Sequence, residues 1–299
     1  MALIKSIQSL KNKLRQWRKR GERVDRFLVD VENKTRSILK LNAWELSRKF
    51  LNEPRSLENK RLLKYGFKAY SQNDEDGIIQ EIFNRIGVVN KNFVEIGVGN
   101  GLENNTLYLL VQEWHGLWIE GNPRYTKHII QKFDHVLTSG ALEVKNTFVH
   151  KNNINQLIDN YKSVAGGLDL LSLDIDGNDY HVLEAIKPLD ARLVILEYNS
   201  KYRPPVKWVM EYNPNHSYVF SDYYGASLKS LETLLLTKGY KLVGCNLSGV
   251  NAFFVREDLV EKNFLDDCSA ENHYEPERVV LSAGLELHHP PSFGPFEVK

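Results

Sequence analysis

The chain has 299 residues, 42% of them hydrophobic and 26% charged, a composition that can bury a sizeable core and excludes a largely disordered chain. No apolar run reaches the ~18–20 residues of a membrane span, and the Lys- and Arg-studded N-terminus lacks the continuous apolar core of a signal peptide. Two cysteines, Cys245 and Cys268, supply neither a disulfide scaffold nor a cysteine-ligated zinc site, so a reducing, cytoplasmic compartment is the expectation.

The net charge of +1 hides an asymmetry. Residues 1–40 hold twelve Lys/Arg and four Asp/Glu, or +8, which leaves −7 on the other 259 residues. The mildly acidic body does not look built for nucleic acid. The basic segment has its own period: Leu3, Leu10, Trp17, Val24, Val31 and Ile38 recur every seven residues, with Ile7, Leu14, Leu28 and the weaker Gly21 and Thr35 between them. Nine apolar residues at eleven seam positions predict a coiled coil and a homo-oligomer. Packing on the chain's own domain and peripheral contact with an anionic membrane are the other readings of the same helix.

Residues 41–64 read as one or two further helices broken near Pro54, and Tyr70–Gly77 leads into an amphipathic helix carrying Ile78, Ile79, Ile82, Phe83 and Ile86. From residue 91 strands and helices alternate. The predicted strands are Phe93–Ile96, Leu117–Ile119, a third near Thr147–Val149, Leu168–Leu173 and Leu193–Leu196. The helices between them fall at about 104–112, after Pro123, at about 154–161 and up to Ile186. A long Pro- and Tyr-rich loop at 200–225 follows, containing Trp208, Tyr212, Tyr218, Tyr223 and Tyr224, aromatics suited to a lid, to a sugar platform or to covering a sheet edge. A helix at Leu228–Leu236 and a strand pair, Tyr240–Cys245 with Ala252–Val255, complete the pattern. This is an α/β protein with a doubly wound, mostly parallel, seven-stranded sheet. The expected divisions are a helical extension at 1–64, the α/β domain at 65–260 and a tail at 261–299.

Ligands of such sheets bind beyond the carboxyl ends of the strands. Four of the five predicted strands end in an acid there: Glu95, Glu120, Asp174 with Asp176, and Glu197 with Asn199. Gly97, Gly99 and Gly101 follow the first strand as G-x-G-x-G, a bare loop that a ligand can approach closely. The dinucleotide fingerprint wants glycine at 102, where Leu102 stands. The ensemble of Glu95, the three glycines and Glu120 instead resembles the class I S-adenosylmethionine-dependent methyltransferases. That resemblance implies that the glycine loop underlies the methionine and ribose of the cofactor and that Glu120 accepts both ribose hydroxyls, as one carboxylate can. Asp174 would meet the cofactor's amine. Tyr70–Gly77, Val94–Thr106, Gly116–Pro123, Leu171–Tyr180, Val194–Asn199 and Tyr224–Val255 resemble the FkbM-type branch over roughly residues 66–256. Methyl transfer to a hydroxyl of a carbohydrate or glycoconjugate is the activity this implies.

The strand-end oxygens of Asp174, Glu197 and Asn199 form a candidate Mg²⁺ site. It is similar to that of catechol-type O-methyltransferases, although Glu197 and Asn199 are not adjacent and Gly177 stands where those enzymes carry lysine. An alcohol acceptor also needs its proton removed, and the candidate bases at this edge are Asp176, Asp179 and His181. Two other readings remain open in the sequence. One is a methyltransferase-fold scaffold acting through its coiled coil. The other is a glycosyltransferase using Asp174-Ile175-Asp176 as its D-x-D.

Overall fold

The structure is a computed structural model. It describes residues 2–165, 167–217, 221–278, 280–281 and 292–295, with side chains for all of these except 2–23 and 163–165. Helix α1 (Ala2–Leu51) is continuous through the segment where the sequence suggested a second helix, and turns occupy 52–62. Its acid-to-base pairs at i,i+4, Asp30 with Lys34 and Glu32 with Arg36, support the helix locally. The side chains of Leu3, Ile7, Leu10, Leu14, Trp17 and Gly21 lie outside the described residues. From Ala43 onward the helix meets the body: Ala43 is buried, and Leu46, Phe50 and Leu51 pack on Leu63, Leu247 and Leu281.

The body is a seven-stranded sheet. Its strands are β1 (Asn92–Ile96), β2 (His115–Glu120), β3 (Leu142–Asn146), β4 (Leu170–Leu173), β5 (Leu193–Glu197), β6 (Tyr240–Cys245) and β7 (Asn251–Arg256). The order is β3-β2-β1-β4-β5-β7-β6. Strands β1 to β5 pair in parallel, and β7 runs antiparallel to both β5 and β6. The central strands β1, β4 and β5 are short apolar runs buried on both faces. Helices α2 (Glu75–Ile86), α3 (Leu107–Val111), α4 (Pro123–Lys132) and α5 (Asp134–Thr138) belong with one core, built on Phe93, Trp118, Ile129 and Phe133. Helices α6 (Ile154–Ala165), α7 (Asp179–Ala185) and α8 (Leu228–Thr237) cover the other, with Val94, Leu171, Val194 and Leu196.

The third strand is earlier than its predicted place at 147–149. It lies on the sheet edge with Leu142 as its one buried residue, so its sequence lacks the apolar run that marked the interior strands. Thr147–Val149 instead follow it into the cavity described below. The segment read as a tail packs on the body: Phe264, Ala270, His273 and Leu281 are buried, and Phe293 stacks on Phe133 with ring centroids 5.1 Å apart. Among the described residues, no helix is long and apolar enough to cross a membrane.

Candidate active site

All five parallel strands deliver their carboxyl ends to one sheet edge, and a cavity of about 810 Å³ opens there, within the range of small-molecule and cofactor sites. Gly97, Gly99, Glu120, Asp174, Asp176 and Glu197 line it together.

The glycine loop divides by role. Gly97 (φ +84°) and Gly99 (φ +56°) both occupy the left-handed region, which glycine enters without the penalty of a Cβ. A methyl on Gly97 would overlap the Asp174 carbonyl, so this glycine lets the β1 and β4 tips close together. A methyl on Gly99 would meet nothing within 4 Å and would project into open space at the cavity wall. Gly101 does not line the cavity: a Cβ there would stand 2.9 Å from Trp118 and 3.0 Å from Phe133. Its glycine serves core packing and not the ligand-facing role that its spacing suggests.

Glu95 is likewise absent from the lining. Its carboxylate accepts from the Asn105 amide at 2.8 Å and from the Thr106 hydroxyl, and Trp118 Nε1 donates to that same hydroxyl at 2.8 Å. Burial pushes the Glu95 carboxyl up to about 7 against these bonds. The geometry makes it a buttress under the loop. Glu120 does face the cavity. Its Oε2 accepts from Gly99 N at 2.8 Å and its Oε1 from Asn122 N at 2.7 Å. The carboxylate, with about four acceptor sites, keeps accepting capacity toward the cavity for a ligand hydroxyl. Burial raises its pKa, and the Asn122 and Gly99 amides oppose that rise.

Beyond the loop lies the acidic edge. Oxygens from Asp174, Asp176 and Glu197 fall within 4.8 Å of one another. Burial, reinforced by Asp179 and Asp176, pushes the Asp174 carboxyl well above the usual range. Burial and then Asp174 do the same to Glu197. Three carboxylates so placed share protons or take a cation. As hard oxygen donors they fit Mg²⁺.

Asn199 does not line the cavity. Its Nδ2 donates to the Asp222 and Tyr224 carbonyls at 2.9 and 3.0 Å and its Oδ1 accepts from Lys201 N at 3.3 Å, tying down the 200–225 loop, while Asp176 stands beside Asp174 and Glu197. Asp176 adopts φ +55° in a turn whose Ile175 and Gly177 amides donate to the Asp179 carboxylate at 2.8 and 2.9 Å. Asp179 therefore holds the turn, and burial pushes it up to about 6. His181 stands outside the cavity, with Nε2 bonded to the Met210 carbonyl at 2.8 Å and its ring against Tyr212.

The structure adds residues that the sequence reading did not select. His216 reaches back 40 positions so that Nε2 bonds the Asp176 carbonyl at 3.0 Å. Asn213 exchanges two bonds with Asn178, at 2.7 and 3.2 Å. The long loop is thus latched over the β4 tip, and His216 lines the cavity there. At the other end, Tyr125 and Phe148 line the cavity with 45% and 53% of their surface exposed, an aromatic wall open to a ligand. Tyr218 and His288–His289 lie outside the described residues. Of the other loop aromatics, Trp208 stacks on Tyr202 at 4.3 Å and meets Tyr223 edge-on at 5.6 Å.

No protein-family profile matches the sequence, and no curated protein matches it. Solved structures do. An S-adenosylmethionine-dependent methyltransferase from Clostridium acetobutylicum ATCC 824 is similar at 12% identity, covering 63% of this chain and 92% of that one, with a TM-score of 0.39. Magnesium protoporphyrin IX methyltransferase from Synechocystis PCC 6803 with bound SAM is similar at 13% identity, covering 72% and 97%, with a TM-score of 0.37. The N-terminal domain of EvdMO1 with SAH bound is similar at 15% identity, covering 70% and 94%, with a TM-score of 0.39. In its own topology, five parallel strands followed by an antiparallel β7 between β5 and β6, the chain has the Rossmann-like methyltransferase fold.

Proposed function

We propose that this chain is an S-adenosylmethionine-dependent O-methyltransferase of the FkbM type, acting on a hydroxyl of a carbohydrate or glycoconjugate. The observation that carries the cofactor is the pairing of Glu120 with Gly99 inside one cavity. A carboxylate with free lone pairs for a diol stands beside a backbone position with open space where a side chain would be. The aromatic walls of Tyr125 and Phe148 suit a purine, and Gly97, Gly99, Glu120 and Asp174 are the residues that would hold the cofactor. When bound, it supplies a methyl group already activated on a sulfonium.

The remaining work belongs to the chain. The strand tips fix the relative positions of donor and acceptor, which is the main demand of an in-line transfer. The acceptor's place is the acidic edge under the latched loop. Its lining, with Asp174, Asp176 and Glu197 and no Lys or Arg among the described residues, suits a neutral polyol over an anionic acceptor. In a metal-free reaction Asp176 would be the proton acceptor, since His181 is turned to Met210 and lies off the cavity. We also assign Asp174, Asp176 and Glu197 as the set that would hold Mg²⁺, which lowers the pKa of a coordinated hydroxyl. The exposed apolar face of α1 supports self-association. Calorimetric titration with S-adenosylhomocysteine tests the core of the proposal, and loss of that binding in Glu120→Ala tests the residue.

A further inference from the structure

Of the nine residues Ser71–Ile79, which straddle the start of α2, eight are buried. The exception is Gln72, which lines the cavity. Two buried carboxylates hold the backbone on either side of it. Asp76 Oδ2 accepts from the Ala69, Tyr70 and Ser71 amides at 2.7, 2.7 and 2.8 Å and from the Ser71 hydroxyl at 2.9 Å. Glu75 Oε2 accepts from Asn73 N at 2.8 Å. Its Oε1 accepts from the side-chain amides of Asn246 and Asn251 at 2.7 and 2.9 Å, which moors the turn to the adjoining ends of β6 and β7. Buried carboxylates are costly unless they are hydrogen-bonded, and here the bonds converge on the backbone around one exposed side chain. Lys68 completes the turn: its Nζ donates to the Gln72 carbonyl at 3.0 Å and to Glu103 at 3.1 Å. Glu103 also lines the cavity, so Gln72 is fixed beside the outgoing end of the glycine loop.

Topology says which end of the ligand reaches this side chain. Tyr125 and Phe148 follow β2 and β3, so a purine against them lies toward that side of the sheet, with its ribose on Glu120 at the β2 tip. The methionine end then runs over β1 toward β4. It carries an ammonium and a carboxylate. The ammonium has acceptors in excess there, in Asp174, Asp176 and Glu197. The carboxylate needs a donor, and among the described residues the lining holds no Lys or Arg. Other side-chain nitrogens toward that end are engaged. Asn178 Nδ2 donates to the Asn213 carbonyl, and His216 Nε2 bonds the Asp176 carbonyl. Asn100 is drawn into its own turn, with Oδ1 on Leu102 N at 2.9 Å. The Gln72 side-chain amide makes no hydrogen bond to another described residue, and it carries two N–H donors.

We infer that Gln72 Nε2 donates to the cofactor's α-carboxylate, so that the amino-acid end is held by a neutral amide on a rigid turn and not by a cation. This rests on the proposal above that the cavity takes S-adenosylmethionine, and the experiment separates the two. Calorimetry compares S-adenosylhomocysteine with its decarboxylated analogue, which keeps the ammonium and lacks the carboxylate. Gln72→Ala should weaken S-adenosylhomocysteine about 10- to 100-fold, the worth of one hydrogen bond to a charged group. It should leave the affinity of the decarboxylated analogue within about 2-fold of wild type, since that ligand offers Gln72 no charged acceptor. Gln72→Glu sets one carboxylate against another and should weaken S-adenosylhomocysteine further, again with the analogue spared. Far-UV circular dichroism should be unchanged in both variants, because the side chain is exposed. An unchanged S-adenosylhomocysteine affinity in Gln72→Ala, or an equal loss for both ligands, would overturn the assignment of Gln72 while leaving the cofactor in place. Wild-type protein that binds neither ligand would overturn the cofactor reading and this inference with it.

Discussion

The two glycines at the β1 tip separate folding from binding, and a single methyl group on each measures both. In Gly99→Ala the new carbon meets open space, so the cost to the fold is that of a left-handed alanine, about 1–2 kcal/mol. That is a modest part of the ~5–15 kcal/mol of a typical domain. In Gly97→Ala the same backbone cost is joined by overlap with the Asp174 carbonyl, and overpacking of this kind adds about 1–3 kcal/mol. Urea denaturation should therefore place Gly97→Ala ~1–3 kcal/mol below Gly99→Ala. Binding should show a different contrast. Gly99→Ala remains folded but projects its methyl into the cavity, so its calorimetric Kd for S-adenosylhomocysteine should rise at least ~10-fold, or ~1.4 kcal/mol. An unchanged Kd in Gly99→Ala, or equal stabilities for the two variants, would refute the division of roles between them.

Other consequences follow from the same geometry. If Asp174, Asp176 and Glu197 hold Mg²⁺, EDTA should suppress methyl transfer while leaving S-adenosylhomocysteine affinity nearly unchanged, and full turnover in EDTA would remove the metal from the account. Burial pushes Glu95 and Asp74 each up to about 7, so the folded chain holds protons there that the unfolded chain releases near pH 4–4.5. Stability should accordingly fall as pH rises toward 7, by about 2 kcal/mol between pH 5.5 and 8 for Glu95 alone. His273, pushed down to about 4 by burial, acts in the opposite sense below pH 6.5 but is one group against several, since burial raises Asp174, Asp179 and Glu197 as well. A urea midpoint in EDTA that is higher at pH 8 than at 5.5 would reject the buried-carboxyl argument. Asn178→Ala removes both bonds to Asn213, worth about 1–3 kcal/mol together. Trypsin should then cut at Lys201 or Lys207 several-fold faster, and an unchanged rate would mean that the latch lies elsewhere.

Much of this architecture is legible in the sequence because its signals are local. The interior strands are continuous apolar runs that end in acids, and a parallel sheet sends all those ends to one edge. That arrangement brings Glu120, Asp174, Asp176 and Glu197 to one cavity. What could not be read depends on partners distant in sequence. Glu95 has the spacing of a ligand residue, but Thr106 and Trp118 enclose it. Gly101 has the spacing of a loop glycine, but it faces Trp118 and Phe133. Asn199 ends a strand as expected, yet its amide is taken by carbonyls 23 and 25 residues on. His216 has no neighbour in sequence that marks it, and its position follows from the Asn178–Asn213 latch. The edge strand β3 lacks a sequence signal of its own, because one buried residue leaves little period to detect.

The most direct measurement is calorimetric titration of the full-length protein with S-adenosylhomocysteine, alongside Glu120→Ala. Saturable binding at one site per chain, weakened at least ~10-fold in the variant, is the predicted result, since a hydrogen bond to a charged group contributes about 1.5–3 kcal/mol and Glu120 offers two. Absence of binding at millimolar concentration, or binding that Glu120→Ala leaves unchanged, would contradict the assignment of this cavity to a sulfonium nucleoside.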